Sequence, residues 1–152
     1  AFGSKVIVYD PYKVIKKKKI EQVSNVEDLL KDSDIISFHV HVTNETIKMV
    51  DERWCEKMKK NVILVNTSRG DIFCEDQIVK FLKKYKTAKL ATDVLDDEIR
   101  NRYNSPLLNY AKISDQVIIT PHIGGMTSDA QEIAYNHAVD MLIKFHQGGR
   151  NV

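Results

Sequence analysis

Residues 61–71 read NVILVNTSRGD, and they decide the fold that the sequence predicts. The apolar run Val62–Val65 contains no alternating polar residue, a pattern typical of a strand in a parallel sheet that is covered on both faces. Polar residues follow at once, from Asn66 to Asp71. The strand therefore ends in a loop that carries chemical groups, and Arg69 is one of them.

Further apolar strands are predicted on both sides of this one, at residues 5–9, 35–40, 90–94 and 117–120. Helices are predicted between them, after a capping box at Ser24 and over residues 75–85, and a long apolar-faced helix follows a second capping box at Ser128. Residues 96–116 are predicted to be irregular. Strands that alternate with helices predict an α/β fold with a parallel sheet and right-handed crossovers.

Composition excludes several classes of protein. At 152 residues the chain predicts about one domain, and its 43% hydrophobic and 29% charged residues are typical of a soluble globular protein. No apolar run reaches the ~18 residues of a membrane span, and no secretory signal is visible. Cys55 and Cys74 are expected to be free thiols in the cytoplasm.

The net charge of +2 does not call for a nucleic-acid partner. The basic block Lys16–Lys19 is interpreted as a solvated loop, and a phosphate-binding patch is its alternative.

Polar residues follow five predicted strands, and they should converge because ligands bind beyond the carboxyl ends of parallel strands. They lie at Asp10, His39–Thr43, Asn66–Asp71, Asp93–Glu98 and Pro121–Gly125.

Each of these groups has a functional reading and a structural one. Asp10 can accept hydrogen bonds from ribose hydroxyls, or simply form a turn before proline. Arg69 can hold a carboxylate substrate, or lie exposed in a loop. Glu98 and His122 can form an acid–base pair, or be unrelated loop residues.

Two other types of site are not predicted. His39-x-His41 has the spacing of two metal ligands but lacks an obvious third, so no metal is expected. Cys74 has no evident base beside it, which argues against a nucleophile.

The chain begins with Ala1-Phe2-Gly3, which resembles the end of a helix, and Gly148-Gly149 is predicted to end the last helix. A domain that opened at Ala1 would lack its preceding helix. The sequence is therefore expected to be a fragment of a longer chain.

Five stretches together resemble the D-isomer-specific 2-hydroxyacid dehydrogenases, in family order and roughly at family spacing. They are AFGSKVIVYDP, LLKDSDIISFHVHVT, NVILVNTSRGDIFCED, ATDVLDDE and VIITPHIGGMTSDAQ. The resemblance implies a Rossmann-type parallel sheet with helices on both faces, lacking the first strand and the glycine-rich loop. That strand is central in the family's order, so a break in the sheet is expected.

The resemblance also implies an organisation. Residues 1–121 would be a partial NAD-binding domain. Residues 122–152 would be the loop of the catalytic histidine and a C-terminal helix leading back toward a missing substrate domain.

The resemblance implies three catalytic residues. Arg69 would hold the substrate carboxylate and carbonyl, and Glu98 would pair with the catalytic histidine, His122. The sequence departs from the family pattern at Ile99 and His41, where proline is usual.

It further implies that NAD is the cofactor. Asp10 would bind the ribose and Asp93 the nicotinamide carboxamide, while Thr43 and Thr67 lie in cofactor-lining segments. A carboxylate at Asp10 would favour NAD over NADP because it repels a 2′-phosphate.

The expected function is an NAD-dependent oxidoreductase that interconverts a D-2-hydroxy acid and its 2-oxo acid. The alternative is a non-enzymatic, dinucleotide-sensing relative such as a corepressor. A homodimer is expected for the full-length protein, with a small-molecule substrate and no nucleic-acid or membrane partner. The fragment alone is expected to be inactive.

Overall fold

The computed structural model of the protein describes residues 3–147. The strands are Val6–Val8 (β1), Ile20–Gln22 (β2), Ile35–Phe38 (β3), Ile63–Asn66 (β4), Lys89–Thr92 (β5) and Val117–Ile119 (β6). The helices are Val26–Asp32 (α1), Glu52–Lys57 (α2), Glu75–Lys84 (α3), Glu98–Asn101 (α4), Pro106–Ala111 (α5) and Ser128–His146 (α6), with 3-10 turns at Gly70–Ile72 and Arg102–Asn104. The helix ends predicted at Ala1-Phe2 and at Gly148-Gly149 lie outside the described residues.

The six strands form two separate parallel sheets. One contains β1 and β2, and the other has the order β3-β4-β5-β6. The predicted α/β class with parallel strands is therefore confirmed, and so is the break in the sheet. β2 was not predicted, because Ile20 is its one apolar residue and its conformation depends on pairing with β1.

Both predicted helix caps are wrong by one residue. Asn25, not Ser24, caps α1 by accepting a hydrogen bond from the Glu27 amide at 2.9 Å. Thr127, not Ser128, caps α6 through the Ala130 amide at 3.2 Å. In both places the neighbouring side chain reaches the unpaired amide of the first turn.

Residues 96–116 are not irregular either, since α4 and α5 lie within them. Ser105 caps α5, and Pro106 takes the first helical position, where its missing N–H costs no hydrogen bond.

The core lies on one face of the four-stranded sheet. Alternate strand residues such as Leu64 and Leu90 are buried there against α2, α3 and α5. Phe38 and Phe73 meet edge to face, with ring centroids 5.2 Å apart. The opposite face carries exposed isoleucines at 35, 63 and 118. In this unit the helices thus bury one face of the sheet, whereas the apolar run Val62–Val65 predicted a strand covered on both faces.

The chain divides into two compact units, one ending at Ile119 and the other beginning at Thr120. The second unit contains α6, none of whose residues is buried. Among residues 3–147, no helix has both the length and the apolar character that crossing a membrane would need. The predicted domain division at residue 121 stays a prediction.

Candidate active site

The carboxyl ends of β4 and β5 are joined through one backbone carbonyl. The oxygen of Asn66 accepts hydrogen bonds from the Asp93 amide at 3.0 Å and from the Thr92 hydroxyl at 3.2 Å. Asp93 is buried, with 7% of its surface exposed. The loops that carry Arg69 and Glu98 therefore leave the sheet side by side, as the parallel topology predicts.

A buried side chain shapes the loop that carries Arg69. Asn66 accepts hydrogen bonds from the amide and the hydroxyl of Ser68, at 3.0 and 2.9 Å. Its amide group donates to the Arg69 carbonyl at 3.0 Å. Thr67 and Arg69 are exposed as a result, and the Arg69 guanidinium donates one hydrogen bond back to the Ser68 carbonyl at 2.6 Å. A strongly donating group is thus presented at the loop surface.

Gly70 brings this loop against the next one. A Cβ atom at Gly70 would overlap the backbone of Leu95 and Asp96. Only glycine allows two backbones to approach so closely. The structure therefore places the residue after Arg69 in direct contact with the segment that leads to Glu98.

Glu98 begins α4 and is half-buried. Its Oε2 accepts a hydrogen bond from the Leu95 amide at 3.0 Å. Asp97, just before it, has a positive φ of 45°. The neighbouring Asp96 forms an ion pair with Lys48, whose Nζ also donates to the Phe73 carbonyl at 3.2 Å. The backbone entering α4 is therefore fixed from several directions.

Asp10 follows β1 and lines a surface cavity of about 550 Å³, together with Tyr9, Tyr12 and Gln22. Its Oδ1 accepts hydrogen bonds from the amides of Tyr12 and Lys13, at 2.9 and 3.0 Å. Asp10 thus forms the turn that its structural reading predicts and also faces the cavity that its functional reading needs.

A hydrogen bond links this cavity to the loop after β3. The Tyr12 hydroxyl donates to the Glu45 carboxylate, which together with the nearby negative charge raises the pKa of Tyr12. Thr43 belongs to the same loop, and its hydroxyl accepts from the Glu45 amide at 3.2 Å.

His122 lies in the second unit, and its own geometry is unusual. It is exposed and has a φ of 55°, a left-handed conformation uncommon outside glycine. Its amide donates to the Thr120 carbonyl at 3.0 Å. Such conformations cluster at functional sites, where neighbouring structure sustains their cost.

The remaining candidates show no comparable arrangement. Both cysteines are free thiols, and burial raises the pKa of Cys55 to about 12. His39 contacts the Ser37 hydroxyl at 2.8 Å. In the described part of the chain, no three His, Cys, Asp or Glu side chains are grouped to hold a metal.

Sequence reasoning missed three residues that shape the site. Lys48 adopts a left-handed conformation, with a φ of 53°, and no local sequence pattern predicts this conformation. Glu75 resembles an ordinary acidic residue in a first helical turn. The close contact at Gly70 involves a loop 25 residues further along the chain. The glycine directly after Arg69 is the feature of the sequence that could have indicated this contact.

The strand-end residues lie within a stretch of the chain that matches a known family. Residues 1–124 match the family described as D-isomer specific 2-hydroxyacid dehydrogenase, NAD binding domain. A glyoxylate reductase of Thermococcus litoralis is 36% identical over 97% of this chain and 43% of its own length.

Several solved structures are similar, and two of them serve as examples. A D-lactate dehydrogenase from Aquifex aeolicus, complexed with NAD and lactic acid, has 33% identity and a TM-score of 0.79, covering 97% of this chain and 48% of its own. A D-2-hydroxyisocaproate dehydrogenase has 26% identity and a TM-score of 0.85, covering 99% and 48%. The predicted Rossmann-type fold and NAD as cofactor are confirmed. The chain spans less than half the length of these three relatives.

We expect Gly70→Ala to destabilise the protein by about 1–3 kcal/mol, the usual cost of overpacking. The new methyl group has to displace the backbone at Leu95 and Asp96. Urea unfolding of parent and variant gives the difference. Gly125→Ala is the matched control, because no atom lies within 4 Å of its added Cβ, and equal midpoints for both variants would contradict the close contact.

Proposed function

The chain belongs to the family of D-isomer specific 2-hydroxyacid dehydrogenases, and from this membership we propose that it is the NAD-binding part of an oxidoreductase. The full-length protein interconverts a D-2-hydroxy acid and its 2-oxo acid. The observation that carries the proposal is the backbone contact at Gly70, which brings the segments of Arg69 and Glu98 together.

The residues present fit a dinucleotide. Asp10 lies at the carboxyl end of a parallel strand and lines a cavity, as an acid that binds ribose hydroxyls should. One of its oxygens serves the turn, and a carboxylate has about four acceptor positions in all. Thr43 and Thr67 line the cofactor in this proposal, and Asp93 contacts its carboxamide. When bound, NAD supplies the redox chemistry, exchanging a hydride with the substrate's C2 carbon.

Three residues of this chain act on the substrate. Arg69 pairs with the carboxylate of the 2-oxo acid through its planar guanidinium and polarises the neighbouring carbonyl. His122 donates a proton to the carbonyl oxygen as that carbon is reduced. Glu98 favours the protonated imidazole of His122, because a nearby negative charge stabilises a cation. In the oxidation direction His122 accepts the proton of the hydroxyl group.

The proposal extends to the whole protein. Residues 1–121 form part of the NAD-binding domain, and residues 122–152 carry the catalytic histidine and lead back toward a substrate domain. The partners are a small 2-oxo or 2-hydroxy acid and a second copy of the protein, with no nucleic acid or membrane. The protein acts in the cytoplasm.

The full-length protein should reduce at least one member of a panel of 2-oxo acids. The loss of NADH absorbance measures the rate of this reaction. His122→Ala should lower this rate by about 10²–10⁴-fold, the usual contribution of a general acid. NADH binding without turnover of any member would favour the dinucleotide-sensing alternative.

Glu98→Gln should move the basic limb of the pH profile of reduction to lower pH. Without the carboxylate the cation that donates the proton is stabilised less, so the rate of reduction falls off at a lower pH. The measurement is kcat/KM for the oxo acid over a pH range of about 5 to about 9, which reports on the acid and base groups of the free enzyme. An unchanged basic limb of the pH profile would show that Glu98 does not act on His122.

Asp10→Ala should narrow the preference for NADH over NADPH. The substitution removes both a ribose acceptor and the charge that repels a 2′-phosphate. The ratio of kcat/KM for the two cofactors measures the preference. Asp34→Ala is a matched control, since it removes an exposed acid at the amino end of a strand, directly before β3. Equal ratios in Asp10→Ala and parent would leave Asp10 as a turn residue only.

A further inference from the structure

Glu75 is a buried carboxylate at the start of α3, with 4% of its surface exposed. Its Oε1 accepts a hydrogen bond from the Asp96 amide at 2.9 Å. Its Oε2 accepts from the Ser105 hydroxyl at 2.6 Å and from the Leu107 amide at 3.4 Å. A buried carboxylate is costly unless such donors satisfy it. The folded state therefore depends on keeping these donors around Glu75.

The donors come from both ends of one segment. Residues 96–105, here called the Glu98 segment, leave the core at Asp96 and return to it at Ser105. Both of these ends bind the same carboxylate. Glu75 thus closes the Glu98 segment into a loop and ties it to α3.

Among its described side chains, the interior of the Glu98 segment places no apolar group in the core. α4 has no buried residue, and Ile99 and Tyr103 are 94% and 72% exposed. A segment without buried apolar contacts takes its position from its anchors. Gly70 and Lys48 act at the first end only, where they meet Asp96. In the described part of the chain, Glu75 is the side chain that hydrogen-bonds at both ends.

We propose that Glu75 is a positioning residue for Glu98. It contacts no substrate, and it acts by holding in place the segment that carries the Glu98 carboxylate. The inference rests on the proposed function, in which Glu98 sustains the protonated imidazole. It assigns a functional consequence to a carboxylate that lies in the core.

The test uses the full-length protein with Glu75→Gln, Glu98→Gln and the double variant. Glutamine keeps the size of the side chain but places an NH2 group against donors that need an acceptor. Glu75→Gln should lower kcat by up to about 100-fold and by no more than Glu98→Gln does, because Glu75 acts only by positioning Glu98. The Kd for NADH should stay within about twofold of the parent, because a change below ~0.4 kcal/mol is expected for a distant site.

The double variant separates positioning from general destabilisation. Once Glu98 is lost, Glu75→Gln should cost no further activity, since the two residues act as a unit. Multiplicative losses would overturn the proposal. Gln116→Leu is the matched control: Gln116 is equally buried and hydrogen-bonds the carbonyls of Leu82 and Tyr85 at the other end of α3. It should lower stability and leave kcat within about twofold.

Hydrogen exchange gives a readout that does not need turnover. Amides 96–104 should exchange faster in Glu75→Gln than in the parent, while those of β4 keep their protection. Equal protection of residues 96–104 would overturn the proposal. If the parent reduced no 2-oxo acid, the proposed function would fail, and the exchange result would still decide whether Glu75 anchors the segment.

Ser105→Ala provides a second variant in case Glu75→Gln does not fold. It removes one donor at the far end of the Glu98 segment, together with the side-chain cap of α5, and leaves the carboxylate in place. The same two effects should appear in weaker form, faster exchange at 97–104 and a loss of kcat that vanishes in the Glu98→Gln background. Their absence would overturn the proposal.

Discussion

The backbone of Gly70 lies so close to that of Leu95 and Asp96 that no side chain fits between them. The candidate site depends on this contact, because it joins the loop after β4 to the loop after β5. Parallel strands bring their carboxyl ends to one edge, but they do not by themselves bring the loops into contact. A glycine at the contact turns neighbouring loops into one surface on which Arg69 and Glu98 have defined relative positions.

Buried polar side chains then give each loop its shape. Asn66 uses both ends of its amide to fold the turn before Arg69. Glu75 gathers the two ends of the segment around Glu98. Groups of this kind are costly to bury without partners, so each one enforces a specific backbone arrangement. The loops of Arg69 and Glu98 are thus held by hydrogen bonds from buried side chains beneath them.

The sequence predicted the elements that have a strong local pattern. The apolar run at Val62–Val65 and the polar residues after each strand were enough to place Asp10, Arg69 and Asp93 at strand ends. β2 escaped prediction because its conformation comes from pairing with β1, which is a non-local interaction. The role of Glu75 escaped for the same reason, since its partners lie 21 and 30 residues away along the chain. Periodicity reports on local burial and carries no information about which distant amide a carboxylate will meet.

The break between the two sheets bears on cofactor binding. A dinucleotide that contacts both Asp10 and Asp93 has to reach from the two-stranded sheet to the four-stranded one. The exposed hydrogen bond from Tyr12 to Glu45 connects the loops of these sheets, and water competes for both of its partners. A ligand present at 100 times its Kd stabilises the arrangement that binds it by about 2.7 kcal/mol. In the proposed site, the arrangement of the two sheets and the binding of NAD are therefore one coupled equilibrium.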